Sequence, residues 1–340
     1  MLNKVYQLIK PKQIGIQYKE VGLNQDGHLL VKPTYMAICH ADQRYYQGKR
    51  DASILTKKLP MALIHEACGV IVADPSGVYK PGQKVIMIPN QPPQLTQGEF
   101  YENYMEGSTF RSSGVDGFMQ ELVSLPHDRV VPYSGIEDVV AALGEFTSVA
   151  MHAIRRYDRM SHSRRDTVLV IGDGSLAFVV VNALHFLYPT LRITVVGRNP
   201  EKLQLFNFID QAILTTELTE KASFDHAFEC TGGQGSEPAI DMIIKHIRSQ
   251  GSLVLMGVSD NSVAINTRDV LEKGLQLIGS SRSGREDFER AVEMLSNRRI
   301  QNRLKNILYL DSPIKTVEDI HRVFATDLTT SFKTIFKWDI

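Results

Sequence analysis

Cys39 stands in the run MAICHAD, and His65-Glu66 follow about 26 residues later in LIHEACG. Further on, GEFTSVAMHAI places Glu145 at the start of a predicted helix. One thiolate, one imidazole and one or two carboxylates suit a catalytic zinc that must keep a coordination position open. Each residue also has a plainer reading. Cys39 alone is a small buried apolar residue, His65 a structural histidine and Glu145 a charge on a helix face. Cys68, three residues beyond the histidine, reads as packing, and so does Cys230.

A second chemistry is written in Gly172-Asp173-Gly174-Ser175-Leu176-Ala177, which follows the apolar run TVLVI and opens another. Gly172 permits a tight turn, and Gly174 lets the backbone approach a pyrophosphate. Ala177 is small enough for close helix–strand packing, and Ser175 and Leu176 begin a helix whose N-terminus favours phosphate charge. The alternative is a tight turn without a ligand. The next strand ends Val196-Gly197-Arg198-Asn199, where NAD sites place an acid for the ribose hydroxyls. Arg198, with Lys202 one helical turn on, favours the 2′-phosphate of NADPH over NAD. A solvated surface arginine is the competing reading. Gly232 and Gly233, beside Cys230, could let a nicotinamide ribose approach closely.

These residues need elements to hold them. The first half is strand-rich: HLLVKPTYMAI, ACGVIVAD and QKVIMIP are short apolar runs between turn signals, and Cys39 is expected to end the first. The polar and aromatic stretch from Pro89 to Gly117 is too long for a simple connector. From Asp166 strands alternate with helices, which predicts a parallel sheet covered on both faces. NPEKLQLFNF begins as a helix with Asn199 as its cap. DHAFECTG, GSLVLMGV and LQLIGSS are further strands, IDMIIKHI and EDFERAVEML are helices, and KTIFKW is a last strand. The expected organisation is a catalytic domain over 1–148, a dinucleotide-binding domain over 149–284, and a segment 285–340.

The chain has 340 residues, enough for about two domains. Lys plus Arg and Asp plus Glu both number 38, so no net charge points to nucleic acid or an anionic membrane. With 43% hydrophobic and 22% charged residues, wholesale disorder is excluded. Three cysteines cannot build a disulfide framework, and the N-terminal run lacks a secretory pattern. A cytoplasmic protein is the expectation.

Cys39-x-x-Asp42, His65-Glu66-x-x-Gly69, the turn Lys80-Pro81-Gly82-Gln83-Lys84-Val85 and G-x-G-x-x-A occur in order. Over the whole chain they resemble the zinc-dependent medium-chain dehydrogenase/reductase family. The resemblance implies an α/β protein: a GroES-like, β-rich catalytic domain, a Rossmann domain, and a C-terminal segment returning to the former. Cys39, His65, Glu66 and Glu145 are similar to the metal set of its polyol-dehydrogenase branch, with Asp42 buttressing the histidine. Cysteines only at 39, 68 and 230 leave no second, four-cysteine zinc. Ala41 stands where relatives begin a hydroxyl proton relay, so water beside Glu66 or Glu145 is the expected substitute.

Longer strings, ICHADQRYYQGKRD, LPMALIHEACGVI, FRSSGVDGFMQE, FDHAFECTGGQGS and LEKGLQLIGSSRSG, are similar to the branch that reduces a pentulose phosphate. This implies NADPH-dependent conversion of D-ribulose 5-phosphate to D-ribitol 5-phosphate for teichoic acid or capsule. A cytidylyltransferase making CDP-ribitol is the implied partner in sequence, and relatives are homo-oligomers. A phosphosugar needs a cationic pocket: Arg44, Lys49, Arg50 and Arg111 flank the expected cleft. Arg111 with Ser112 and Ser113, and Arg44 with Tyr45, are the phosphate candidates. A dehydrogenase of an unphosphorylated polyol or hydroxy amino acid, and an idle interaction subunit, are the alternatives.

Overall fold

The alternating run HLLVKPTYMA forms the strand His28–Ala37, the middle of a seven-stranded sheet. On one side it pairs antiparallel with Glu66–Ala73, with Glu66 opposite Ala37. On the other it pairs antiparallel with Lys333–Trp338, with Ile335 opposite Ala37. One end of the sheet therefore gathers Glu66, the approach to Cys39 and the start of the last strand. Lys84–Met87 and Val130–Pro132 continue the sheet beyond Glu66–Ala73, and Leu308–Ile314 lies beyond Lys333–Trp338. A three-stranded sheet of Gln13–Glu20, Leu2–Lys10 and Met61–Ala62 shares the same apolar cluster, which includes Leu8, Val31, Phe118 and Trp338.

The structure is a computed structural model that describes residues 1–22, 27–93 and 101–340. It divides into two units, Met1–Ser148 with Ser283–Ile340, and Val149–Arg282. The C-terminal segment thus completes the sheet of the first unit. Within the stretch from Pro89 to Gly117, Asn90–Gln91 pairs with Thr109–Phe110. The buried Arg129 donates to the Asn90 carbonyl at 3.0 Å and to Glu102 at 2.8 Å. The part of that stretch over 94–100 lies outside the described residues.

The second unit is a six-stranded parallel sheet. Its order is Gln211–Leu214, Arg192–Gly197, Thr167–Ile171, Phe224–Glu229, Ile247–Leu255, Gln276–Gly279. Helices Ser175–Leu187 and Ser236–His246 join its strands. After Asn199, which accepts from the Lys202 amide at 3.1 Å, the helix is one turn, Pro200–Leu203. It then tightens into the 3₁₀ turn Gln204–Phe206, which buries Phe206 edge-on against Phe178. Among the described residues, no helix is long and apolar enough to cross a membrane.

The central strand FDHAFE is wholly buried although three of its six residues are polar. Each has its partners built in, as burial demands. His226 accepts from the Ser252 amide at 3.1 Å through Nδ1 and donates through Nε2 to the Arg164 carbonyl at 3.0 Å. Asp225 takes Arg164 at 2.8 Å, Arg248 at 2.7 Å and the amides of Asp166 and Thr167. Burial pushes its pKa up, but Arg248 and Thr167 outweigh that and hold it at about 2, below the ordinary 3.8. The stabilisation, about 2 kcal/mol, is present above pH 4 and is lost as pH falls toward 2. Asp225→Asn should therefore cost about that much at neutral pH. Denaturant unfolding of both proteins from pH 7 down to 2.5 should show the difference shrinking with acidification.

Candidate active site

Cys39 does not end the first strand. That strand stops at Ala37, and Cys39 caps the helix His40–Tyr46. The reason is Asp42, whose carboxylate accepts the Cys39 amide at 3.2 Å and closes the first turn. Asp42 is fully buried and accepts three further donors. The Ile64 amide lies at 3.1 Å, the Ser112 hydroxyl at 2.6 Å, and His65 Nδ1 at 3.5 Å. Its pKa is pushed up by burial but ends below the ordinary value, because His65, Ser112 and Ile64 all favour the anion. Ile64, a β-branched residue, holds a left-handed φ of +69° directly before His65. Such a conformation costs about 1–3 kcal/mol and persists only when its surroundings fix it. Here Asp42 holds the amide, and Phe118 donates to the Ile64 carbonyl at 2.7 Å.

The clamp holds His65 through Nδ1, and the donor atoms of Cys39, His65 and Glu66 lie within 4.8 Å of one another. Glu66 Oε1 accepts from the buried Lys333 ammonium, while Oε2 is buried with no partner. An orphaned carboxylate oxygen beside a thiol and an imidazole is the arrangement a zinc ion satisfies. The field agrees. Burial works against the positive charge of His65, yet Asp42 and Cys39 raise its pKa well above the ordinary value. Burial likewise opposes the charge of Lys333, and Glu66 and Cys39 again prevail.

Glu145 enters on the helix Gly144–Met160. That helix can approach because a Cβ on Gly144 would lie 2.5 Å from Ile86. Burial raises the Glu145 pKa to about 7, with His65 and Lys333 pulling against it and Glu66 adding to it. Its carboxylate thus stands in the field of the donor set.

The phosphate candidates are arranged differently from expectation. Ser112 is buried and spends its hydroxyl on Asp42, so it supports the histidine instead of gripping an anion. Arg111 donates to the carbonyls of Asp116 at 3.2 Å and Ser124 at 2.9 Å, and burial lowers its pKa to about 10. Tyr45 is buried in the core cluster, and Arg44 reaches the Lys49 carbonyl at 3.5 Å. Cys68 and Cys230 are buried, and burial raises both thiol pKa values, Cys68 to about 11.

In the second unit, Gly172 has φ +134°, and a Cβ there would lie 2.9 Å from the Cys230 carbonyl oxygen. Gly174 faces open space within 4 Å. Together with Arg198 these glycines line a cavity of about 210 Å³ at the carboxyl ends of the parallel strands, a place suited to a dinucleotide. Asp173 accepts the amides of Arg198 at 2.6 Å and Asn199 at 2.8 Å, tying the arginine's loop to the glycine turn. Glu229 accepts the amides of Thr231 at 2.8 Å, Gly232 at 3.1 Å and Gly257 at 2.8 Å, joining the ends of two strands.

Sequence reasoning missed Asp173, Glu229 and Lys333. Lys333 alone left a usable signal, a lysine opening a strand, KTIFKW, that is otherwise mostly apolar.

The chain matches the alcohol dehydrogenase GroES-like domain over residues 25–135 and the zinc-binding dehydrogenase domain over 190–297. It is 58% identical to a ribulose-5-phosphate reductase of Streptococcus pneumoniae, covering 100% of this chain and 98% of that one. It is 45% identical to ribulose-5-phosphate reductase 1 of Staphylococcus aureus, covering 99% of each. The crystal structure of S. aureus TarJ in complex with NADPH superposes with a TM-score of 0.89 at 41% identity, covering 100% of both chains. The orphaned metal set, the glycine turn and these likenesses agree: the chain belongs to the zinc-dependent medium-chain dehydrogenase/reductase family.

Proposed function

We propose that this protein is a zinc-dependent, NADPH-linked reductase that converts D-ribulose 5-phosphate to D-ribitol 5-phosphate. The observation that carries the reading is full-length likeness to ribulose-5-phosphate reductases, in a chain whose Cys39, His65 and Glu66 converge around an orphaned oxygen. The reaction consumes one NADPH and one proton. The hydride goes to C2 of the pentulose, the C2 oxygen gains the proton, and NADP⁺ leaves. Zinc supplies Lewis acidity at the carbonyl, and NADPH supplies the hydride.

The chain's own residues do the remaining work. Cys39 and His65 hold the metal with the carboxylates of Glu66 and Glu145 beside them, and Asp42 fixes the histidine tautomer. Glu145, kept partly protonated by burial, handles the proton that Ala41 cannot relay. Gly172, Gly174, Ser175, Leu176 and Ala177 form the pyrophosphate turn, and Arg198 with Lys202 takes the 2′-phosphate. The protein acts in the cytoplasm as a homo-oligomer. Its product feeds a cytidylyltransferase that makes CDP-ribitol for teichoic acid or capsule, and that enzyme is a candidate binding partner.

The test is NADPH oxidation with D-ribulose 5-phosphate, against D-ribulose, D-fructose and NADH as controls. Equal turnover of the unphosphorylated ketoses would move the reading to a general polyol dehydrogenase. Elemental analysis should find about one tightly held zinc per chain, and Cys39→Ser should lose most of it together with activity. Arg198→Ala should raise KM for NADPH by about ten- to a hundredfold, the cost of one charge-assisted phosphate contact, with little change for NADH. Equal effects on both cofactors would remove Arg198 from that role. Glu145→Gln should fold and lose turnover by about a hundredfold or more. The zinc content of that preparation separates a ligand, which loses the metal, from a proton carrier, which keeps it.

A further inference from the structure

We propose that Arg50 and Lys58, gathered on the ring of Tyr45, form the seat for the substrate's phosphate. The inference rests on the reading of the substrate as a phosphosugar and names the residues that select it.

The Arg50 guanidinium carbon lies 4.8 Å from the centroid of the Tyr45 ring, and Lys58 Nζ lies 6.0 Å from it. Two cations at one ring repel each other, and each gains only about 0.5–1 kcal/mol from the ring where solvent still reaches it. Among the described residues, no carboxylate lies within ion-pair distance of either, and Asp51, adjacent in sequence, pairs with neither. Arg50 Nε is buried without a partner. Elsewhere in this unit the buried Arg129 shares Glu102 and Asp128, and the buried Lys333 has Glu66. Arg50 and Lys58 are thus a cationic pair awaiting an anion.

Their placement ties them to the metal set. Tyr45 sits on the helix that Cys39 caps. Lys58 donates to the Ser113 hydroxyl at 2.8 Å. Ser113 follows Ser112, which holds Asp42 behind His65, and Phe110 of the same short segment packs on the His65 ring with centroids 5.3 Å apart. One segment, Phe110 to Ser113, therefore touches both the histidine and the lysine. A ketose phosphate has the same requirement, with its carbonyl at the metal and its phosphate a short carbon chain away. A guanidinium fork gives two parallel hydrogen bonds to phosphate, and an ammonium adds a point charge. Arg111, committed to backbone carbonyls, leaves that task to this pair.

The experiment compares wild type, Arg50→Ala, Lys58→Ala and the double variant on D-ribulose 5-phosphate and D-ribulose at saturating NADPH. Zinc content and melting temperature are recorded for each protein. Each single variant should lose about tenfold or more in kcat/KM on the phosphorylated ketose, mainly through KM, and the double variant about a hundredfold. The loss on the phosphorylated ketose should exceed that on D-ribulose by about tenfold. Inorganic phosphate should compete with D-ribulose 5-phosphate in the wild type and less well in the variants. Arg50→Lys and Lys58→Arg keep the charge and serve where an alanine variant fails to fold, with part of the preference retained. A wild type that treats the two ketoses alike overturns the phosphosugar reading itself. A wild type that prefers the phosphate, with variants that lose nothing or lose equally on both substrates, overturns the seat alone.

Discussion

Everything in the catalytic unit converges on one buried carboxylate, Asp42. It accepts from the amide of Cys39, the amide of Ile64, the hydroxyl of Ser112 and the ring of His65. Those donors come from three separate stretches of chain, so one side chain locks the thiol, the imidazole and the loop behind them into a single arrangement. Such a group carries a large desolvation cost unless every lone pair is used, and here four donors use them. Removing one partner of a buried charged pair costs about 3–5 kcal/mol, because the other is left without compensation. The strained backbone of Ile64 belongs to the same balance, since its amide is one of the four donors.

The second constraint is charge. Glu66, Glu145, Asp42 and the thiol of Cys39 crowd a space from which solvent is largely excluded, and one ammonium, that of Lys333, is built in to meet them. That lysine arrives from a position 267 residues beyond Glu66. Its strand must therefore pair beside His28–Ala37, and the return of the C-terminal segment is an electrostatic requirement of the site as well as a packing one. Lys333 takes only one oxygen of Glu66, and the other, buried without a partner, is where the zinc implied by the family would find a ligand.

This explains what could be read from the chain and what could not. The convergence of Cys39, His65 and Glu66 was legible because thiol, imidazole and carboxylate are the residue types a metal takes, and the structure brings their donor atoms within 4.8 Å of one another. The turn at Gly172 was legible because its backbone permits few substitutes. The parallel sheet was legible from apolar runs alternating with helical ones. Asp173 and Glu229 were not, because they work on backbone amides that carry no side-chain signature. Lys333 left only the hint of a lysine in an apolar strand, since its partner Glu66 lies far back along the chain. Ser112 misled for a related reason. A serine beside an arginine in a polar loop reads as an anion grip, and only the fold shows its hydroxyl turned inward to Asp42. Cys39 was placed at a strand end because the apolar run continues to Ile38, whereas the Asp42 carboxylate starts a helix there.

The same geometry narrows the path of the proton. A relay through hydroxyls needs one that is free at the donor set, and Ala41 offers none. Ser112 is bound to Asp42, while Ser148 donates to the Glu145 carbonyl at 2.6 Å and shares a hydrogen bond with Ser283. The imidazole of His65 is committed at Nδ1 to Asp42, and Lys333 is committed to Glu66 and to the Ile38 carbonyl. Burial raises the pKa of Glu145 to about 7, which brings its carboxyl toward the range in which general acids work. A carboxyl so placed can give up a proton and regain it without crossing a large free-energy gap, which a hydroxyl achieves only as a link in a chain. The proposed role of Glu145 follows from this pairing: position 41 carries no hydroxyl, and the one acid on the helix Gly144–Met160 that lies in the field of His65, Glu66 and Lys333 has its pKa raised by burial.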